Sequence, residues 1–199
     1  MKRILSLLVF VVALAGAANA DPLVFTATLS GANERPNPNN SPGTGFVVVT
    51  VDGNIMTVNA TFSGLVSTTS TGAPSGVTAA HIHCCVPATG AAGVATPVPT
   101  FPGFPSGVTS GTYLQSFDLT LASSYNPAFI NANGGTVEGA RIAFLNGLQN
   151  GLTYFNVHSN AFPGGEIRGQ LQPVPEPATL ILLGTGLAGA ALRSRRKKS

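Results

Sequence analysis

The amino-acid sequence predicts a mainly β domain, an antiparallel sandwich or barrel with one short helix, over residues 21–172. Two observations predict this fold class. Short runs of β-forming residues recur between clusters of turn residues, and a single segment has the spacing of an amphipathic helix. The length of about 150 residues is enough for one hydrophobic core. The flanking segments 1–20 and 173–199 have the composition of targeting sequences and are kept apart from the fold.

Seven runs have the composition of strands, and two of them are joined by a recognisable turn. Asp52, Gly53 and Asn54 separate two of the runs, which predicts a β-hairpin at that point. The predicted strands cover residues 23–29, 46–51, 55–62, 78–83, 116–121, 153–158 and 166–171.

The segment 136–150, TVEGARIAFLNGLQN, is predicted to be the helix. Its apolar residues recur at three- and four-residue spacing, as one buried face of a helix requires. Thr136 precedes them as a helix N-cap, and Gly151 follows the last turn.

The first twenty residues predict a signal peptide that signal peptidase removes. Lys2 and Arg3 precede an apolar run at 4–14, and an Ala-Asn-Ala triplet at 18–20 has the small-x-small pattern of a cleavage site. The mature chain is therefore expected to begin at Asp21.

Residues 173–199 combine a proline-rich motif, an uncharged stretch at 178–192 and the basic tail RSRRKKS at 193–199. The motif consists of Val174, Pro175, Glu176 and Pro177. This order resembles the PEP-CTERM sorting signal of Gram-negative bacteria. The resemblance implies processing by the membrane protease exosortase. It also implies a transient inner-membrane anchor through a helix at 178–192, and a final location at the cell surface or outside the cell.

The charge of the predicted domain excludes one class of partner. Residues 21–172 contain three arginines, no lysine and six carboxylates, so they have a net charge of −3, and most of the basic residues lie in the flanking segments. A nucleic-acid-binding domain needs a cationic surface that neutralises phosphates. The sequence therefore predicts that this domain does not bind nucleic acid.

Residues 86–111 are predicted to form a long ordered loop over the strand that carries AAHIHCC. The segment contains five prolines, five glycines and no charged residue, a composition too apolar for ordinary disorder. Phe101 and Phe104 are expected to pack downward from it. A surface binding loop that exposes both rings is the alternative.

Three blocks of the sequence resemble the signature of the CHRD domain, which was first named from the growth-factor antagonist chordin. The blocks are FTATLSGANE, AAHIH and NGLTYFNVHSNAFPGGEIRGQL. The resemblance implies a β-sandwich-like extracellular module over 21–172, with Asn156, Glu166 and Arg168 among its signature residues. Cys84 and Cys85 stand where the family more often has a glycine-rich continuation.

The three histidines of the chain are candidate metal ligands. Side chains two apart on a strand share a face, so His81 and His83 point the same way, and His158 lies on the polar face of a second strand. If these strands pair or face each other, three imidazoles converge, which suits zinc or copper. The His-x-His strand also resembles that of copper/zinc superoxide dismutases. The alternative is that the histidines only hydrogen-bond to the backbone.

Cys84 and Cys85 leave three alternatives open: a vicinal disulfide, intermolecular bridges, or metal ligands beside the histidines. Strand alternation brings only Cys85 to the histidine side, which makes it the candidate fourth ligand. Export to an oxidising compartment favours the disulfide, and the disulfide and the Cys85 ligand largely exclude each other.

Glu166 and Arg168 are expected to share a face and one structural network, and no residue is assigned as catalytic. The sequence lacks a nucleophile elbow, a phosphate loop and a paired-carboxylate arrangement. We therefore expect a non-enzymatic secreted module that binds polysaccharide or a surface protein, or is a structural part of the surface matrix. The alternative is a zinc or copper protein, or a metalloenzyme of the superoxide dismutase type.

Overall fold

Eight strands form one antiparallel sheet that curls into a half-barrel. The structure is a computed structural model, and it describes residues 21–175 and 184–187. The strand order is β4-β6-β7-β1-β2-β3-β5, and β8 pairs with β1. The strands are β1 (Leu23–Ser30), β2 (Thr44–Asp52), β3 (Ile55–Ser63), β4 (Val77–Cys84), β5 (Gly111–Asp118), β6 (Thr153–Ser159), β7 (Ile167–Gln170) and β8 (Gln172–Pro173). The prediction of a mainly β, antiparallel, barrel-like fold is confirmed.

The hairpin of β2 and β3 is the longest uninterrupted pairing in the sheet. Asp52 pairs with Ile55, so Gly53 and Asn54 form a two-residue turn. Gly53 has a φ of 56°, the positive value that the first position of a type II′ turn requires. The turn therefore lies where the sequence predicts it.

One face of the sheet forms the hydrophobic core because apolar residues alternate along the strands. Phe25 and Leu29 of β1, Val49 of β2 and Val58 of β3 are all buried. Ile82 of β4 and several aromatic rings join the same core. Alternate side chains point to opposite faces, so the residues between these positions occupy the other side.

The fifth strand begins five residues earlier than the sequence predicts. β5 spans Gly111–Asp118 and pairs with β3 along its length. Asp118 ends the strand, because its Oδ1 accepts hydrogen bonds from the backbone N–H of Thr120 at 2.8 Å and from its hydroxyl at 2.6 Å. Such an Asx turn redirects the chain away from the sheet.

Two α-helices lie between β5 and β6, and the sequence predicts only the second. The predicted helix is confirmed as α2 (Val137–Gln149), and Thr136 caps it by accepting a bond from the N–H of Gly139. The helix α1 (Pro127–Ala132) precedes it and has Asn126 as its N-cap. Six residues are too few for a periodic signal, although Asn-Pro is an N-terminal helix signature.

The long loop after β4 covers the free edge of that strand. Ala95 and Phe101 donate backbone hydrogen bonds to the carbonyls of Ile82 and Ala80, at 2.9 and 3.1 Å. Phe101 is fully buried and Phe104 is 6% exposed, so both rings pack into the core as predicted. The loop thus satisfies an edge that would otherwise present unpaired backbone groups.

The predicted targeting segments lie mostly beyond the part of the chain that the structure describes. Residues 1–20 are outside it, and of the predicted membrane helix at 178–192 only 184–187 are described, as helix. No helix among the described residues has the length and hydropathy needed to span a bilayer.

Replacing Phe101 with alanine should cost about 3–5 kcal/mol of unfolding free energy, because a fully buried aromatic ring is lost. Its ring packs against Tyr113, Phe117 and Phe155, at centroid distances of 5.9, 5.3 and 6.0 Å. Urea unfolding of the exported protein measures the change. Leu114→Ala is the control, since this side chain is 69% exposed. Equal losses in both variants would show that the loop is not anchored by Phe101.

Candidate metal centre

Strands β4 and β6 pair in a register that brings all three histidines to one sheet face. His81 lies opposite Asn156, His83 opposite Tyr154, and Ala79 opposite His158. This face is the one turned away from Ile82 and the core. Because β4 and β6 are paired, the three imidazoles converge.

The three imidazole rings form a triangle. Their centroids are 5.9 Å apart for His81 and His83, 5.4 Å for His81 and His158, and 6.0 Å for His83 and His158. One ring nitrogen of each residue lies within 4.8 Å of the corresponding nitrogens of the other two. His81 and His83 are buried, and His158 is partly exposed.

Each imidazole donates one N–H to a backbone carbonyl, which fixes its tautomer. His81 Nε2 donates to Pro99 O at 2.7 Å, His83 Nδ1 to Ala92 O at 2.9 Å, and His158 Nδ1 to Pro163 O at 2.9 Å. A carbonyl oxygen can only accept, so the bonded nitrogen carries the proton and the other ring nitrogen keeps its lone pair.

The second nitrogen of each ring is buried and has no hydrogen-bond partner. These atoms are His81 Nδ1, His83 Nε2 and His158 Nε2. A histidine that ligates a metal ordinarily donates its other N–H to a carbonyl or carboxylate, which orients the ring. All three residues have this arrangement.

The electrostatic environment keeps the three imidazoles neutral at pH 7. The pKa of His83 is lowered to about 4, chiefly by burial; the charges of His158, His81 and Arg168 act in the same direction, and the bond to Ala92 O opposes them. Burial likewise lowers the pKa of His81 and of His158. Neutral imidazole is the form that binds a metal ion.

The spacing fits a first-row metal after a small closure of the rings. Ligand nitrogens at about 2.0–2.1 Å from a tetrahedral ion are about 3.4 Å apart. The observed upper limit of 4.8 Å therefore requires a closure of at most about 1.5 Å. Three protein ligands leave one position open for water or another small molecule.

A stack of side chains borders the histidines on the same face. Tyr154 lies parallel to His83 at a ring distance of 4.6 Å, and the guanidinium carbon of Arg168 lies 3.4 Å from the Tyr154 ring centroid. Tyr154 is held by its hydroxyl, which donates to Ala92 O at 3.1 Å, the same carbonyl that accepts from His83. The stack links the position of His83 to that of Arg168.

Glu34 is a buried carboxyl group beside this face. Asn156 Nδ2 donates to its Oε2 at 3.4 Å, while its Oε1 has no partner. Burial raises the pKa of Glu34 to about 7, and this effect outweighs the opposing charge of Arg168 and the bond from Asn156. Glu34 therefore changes its charge near neutral pH.

Glu166 and Arg168 lie in different surroundings, contrary to the expectation of one network. Glu166 Oε1 accepts from the hydroxyl of Ser41 and from the backbone N–H of Val66, both at 2.6 Å. No hydrogen bond or ion pair in 21–175 joins Glu166 to Arg168. Glu166 therefore connects the loops that contain Ser41 and Val66. The acidic neighbour of Arg168 is Glu34.

The two cysteines lie away from the histidines. The sulfur atoms of Cys84 and Cys85 lie next to each other, in the arrangement of a vicinal disulfide. Both sulfur atoms face helix α2, where Cys85 Sγ is 3.6 Å from Ala143 O. A β-carbon added at Gly147 would lie 2.5 Å from Cys84 Sγ, so this glycine leaves room for the pair. Cys85 is not brought to the three histidines, and the disulfide stays a prediction.

The sequence does not single out Glu34 or Tyr154 for this site, nor the carbonyl groups that orient the rings. Glu34 ends the block FTATLSGANE, and Tyr154 lies in the block that contains His158, so both stood within recognised motifs. The carbonyls of Ala92 and Pro99 belong to a loop whose path the sequence does not specify. Every residue has a backbone carbonyl, so the identities of Ala92 and Pro99 do not mark them as partners of the histidines.

Comparison with known families gives two matches. The CHRD domain family model matches residues 25–171, and the model of the PEP-CTERM protein-sorting motif matches residues 173–197. No curated protein and no solved structure matches the chain.

Glu34→Gln should stabilise the protein more at pH 8 than at pH 4.5. The folded state raises the pKa of Glu34 from 4.5 to about 7, so its contribution to stability is present below pH 4.5 and is lost as the pH rises to about 7. The difference in melting temperature between variant and parent should therefore grow across this range. Circular-dichroism melts at several pH values measure it.

Glu138→Gln is the matched control for this measurement. Glu138 is exposed, and its bond to Arg141 lowers its pKa, so the same substitution there should not stabilise the protein at high pH. A Glu34→Gln difference that does not vary with pH contradicts the assignment.

Proposed function

The chain belongs to the CHRD domain family and carries a C-terminal PEP-CTERM sorting motif, and from this premise we propose that it is a metal-binding module of the cell surface. His81, His83 and His158 hold one zinc or copper ion. The PEP-CTERM motif marks the chain for export and exosortase-dependent surface sorting.

The observation that carries the proposal is the matched orientation of three buried imidazoles. Each has one nitrogen tied to a carbonyl and the other buried and unpartnered. An unpartnered buried polar atom costs free energy, and three such atoms within one triangle cost more. A metal ion satisfies all three at once.

The ligand chemistry selects the class of metal. Three neutral imidazoles, with no carboxylate or thiolate among them, suit zinc and copper and do not suit calcium or magnesium. Cu²⁺ binds nitrogen sites more tightly than Zn²⁺ in the general affinity order of first-row metals. We therefore expect Cu²⁺ to displace Zn²⁺ from the site.

A superoxide dismutase activity is a separate and stronger claim. It requires a redox-active metal in the site and turnover of superoxide by the loaded protein. The proposal here is for metal binding, and an assay of the copper-loaded protein decides the enzymatic alternative. Binding of an extracellular polysaccharide or a surface protein stays a prediction from the sequence.

The sorting motif directly follows the last strand. Residues 172–175 are exposed, and Val174 donates a backbone hydrogen bond to Val24 O at 2.8 Å. The motif therefore begins where the sheet ends, within reach of a protease. Glu176 and Pro177 lie outside the described residues.

Metal analysis of the exported protein, stripped by chelator and reloaded, should give about one zinc or copper ion per chain. His158→Gln should weaken binding by more than about 100-fold, which exceeds the usual effect of losing an outer partner. Competition with a coloured chelator measures the affinity. His158 is the least buried of the three ligands, so its replacement disturbs the fold least.

Glu138→Gln is the control for adventitious metal, because it removes an exposed carboxylate on α2 and leaves the histidines intact. Its affinity should equal that of the parent. Substoichiometric metal in the parent, or equal losses in the two variants, would overturn the proposed site.

The mature exported protein should lack the basic tail RSRRKKS, and its mass should place the new C-terminus close to Val174 and Pro177. Intact-mass spectrometry of secreted protein measures this end. A strain without exosortase activity provides the control and should retain the longer form. Fully exported protein that still carries the tail would contradict exosortase processing.

A further inference from the structure

A second polar site lies next to the stack, in a cavity of about 230 Å³ between β1, β7 and two loops. Its lining is formed by Thr28, Asn33, Arg35, Ala88, Arg168 and Gln170. Two of the three arginines in residues 21–172 line this cavity, and no carboxylate does. The cavity is therefore cationic in a domain whose net charge is negative.

Arg168 is a buried cation without a paired anion. Its side chain is 1% exposed, and its Nη1 has no hydrogen-bond partner. Its Nη2 makes one long bond, 3.4 Å, to Gln170 Oε1. Within the described part of the chain, the one ion pair joins Arg141 to Glu138 on α2, far along the chain from Arg168.

A buried guanidinium without a counter-charge is costly, and a bound anion removes that cost. Glu34 is the acidic neighbour of Arg168 and raises its pKa, but it lines a different cavity and makes no ion pair with Arg168 among the described residues. Burial lowers the pKa of Arg168, Tyr154 and Glu34 oppose this effect, and the charge of Arg35 adds the smallest lowering contribution. Arg35 Nη1 donates to the backbone carbonyls of Ala32 and Glu34, at 3.0 and 2.6 Å, and an anion in the cavity would offset the repulsion between Arg35 and Arg168.

We infer that this cavity binds a small oxyanion, such as phosphate, sulfate or a carboxylate, between Arg35 and Arg168. Guanidinium groups donate paired N–H bonds to such groups, and Gln170, Asn33 and Thr28 supply further polar contacts. A volume of about 230 Å³ admits an ion of this size together with water. None of the three histidines lines this cavity, so the anion site does not depend on the proposed metal site.

The test is calorimetric titration of the chelator-stripped exported protein with inorganic phosphate, sulfate and acetate at low ionic strength. At least one of the three should bind saturably at one per chain. The chelator removes any metal ion bound to the histidines, so an anion that binds to such a metal ion does not contribute to the measurement. Absence of saturable binding by all three overturns the inference.

Two pairs of variants locate the site. Arg35→Gln should weaken binding at least about tenfold, since removing one side of a paired charge contact commonly costs this much or more. Arg141→Gln removes the same charge from α2 and should leave binding unchanged. Equal losses in both variants would show only diffuse electrostatic attraction and would overturn the site.

The second pair is independent of the arginines. Ala88 is exposed, so Ala88→Glu places a negative charge at the cavity wall with little effect on folding. It should abolish binding, while the neutral Ala88→Gln should retain it. Binding that survives Ala88→Glu contradicts the location, and circular-dichroism melts verify that each variant is folded.

Discussion

The antiparallel register between β4 and β6 is the constraint on which both faces of the sheet depend. With His81 opposite Asn156, the residues Ile82 and Phe155 must point together into the core. A slip of one residue would bury the histidines in the apolar core and expose Ile82. Core packing therefore fixes the position of the polar residues as firmly as that of the apolar ones. The triangle of imidazoles follows from a register that the hydrophobic core specifies.

The loop after β4 orients two of the histidines that this register brings together. It bonds to the strand edge through the backbone groups of Ala80 and Ile82, and it is held in the core by Phe101. From that anchored path, its carbonyls at Ala92 and Pro99 meet the rings of His83 and His81. One irregular segment thus protects an edge strand, fills the core and orients two of the three candidate ligands. Rigidity of this kind is what a preorganised metal site requires.

The sequence predicts the strands and the long helix well, because alternation and three-to-four spacing are local properties of the chain. It also predicts that His81 and His83 share a face and that His158 lies on the polar face of its own strand, since side-chain parity needs no tertiary information. That these two strands pair is a tertiary feature, which the structure supplies. It does not predict the outer partners of the histidines, which are backbone carbonyls contributed by a loop. Nor does it separate Glu166 from Arg168, because parity describes one strand and says nothing of the loops that pack on it. The sequence likewise does not predict the buried position of Glu34, because that position depends on contacts distant in sequence, such as the bond from Asn156.

The proposed metal site and the proposed anion site lie side by side on the polar face of the sheet, and the groups of the two sites do not neutralise each other. The imidazoles are neutral, so they do not repel a metal ion. The guanidinium of Arg168 lies over the Tyr154 ring, which attracts the cation and lies between it and His83. An ion pair between Glu34 and Arg168 would neutralise both groups, yet burial keeps Glu34 largely protonated below about pH 7. Below about pH 7, the charge of Arg168 is therefore available for the proposed anion, and the lone pairs of the histidines are available for the proposed metal ion. Tyr154 separates the two proposed sites, because its ring lies against His83 on one side and against Arg168 on the other.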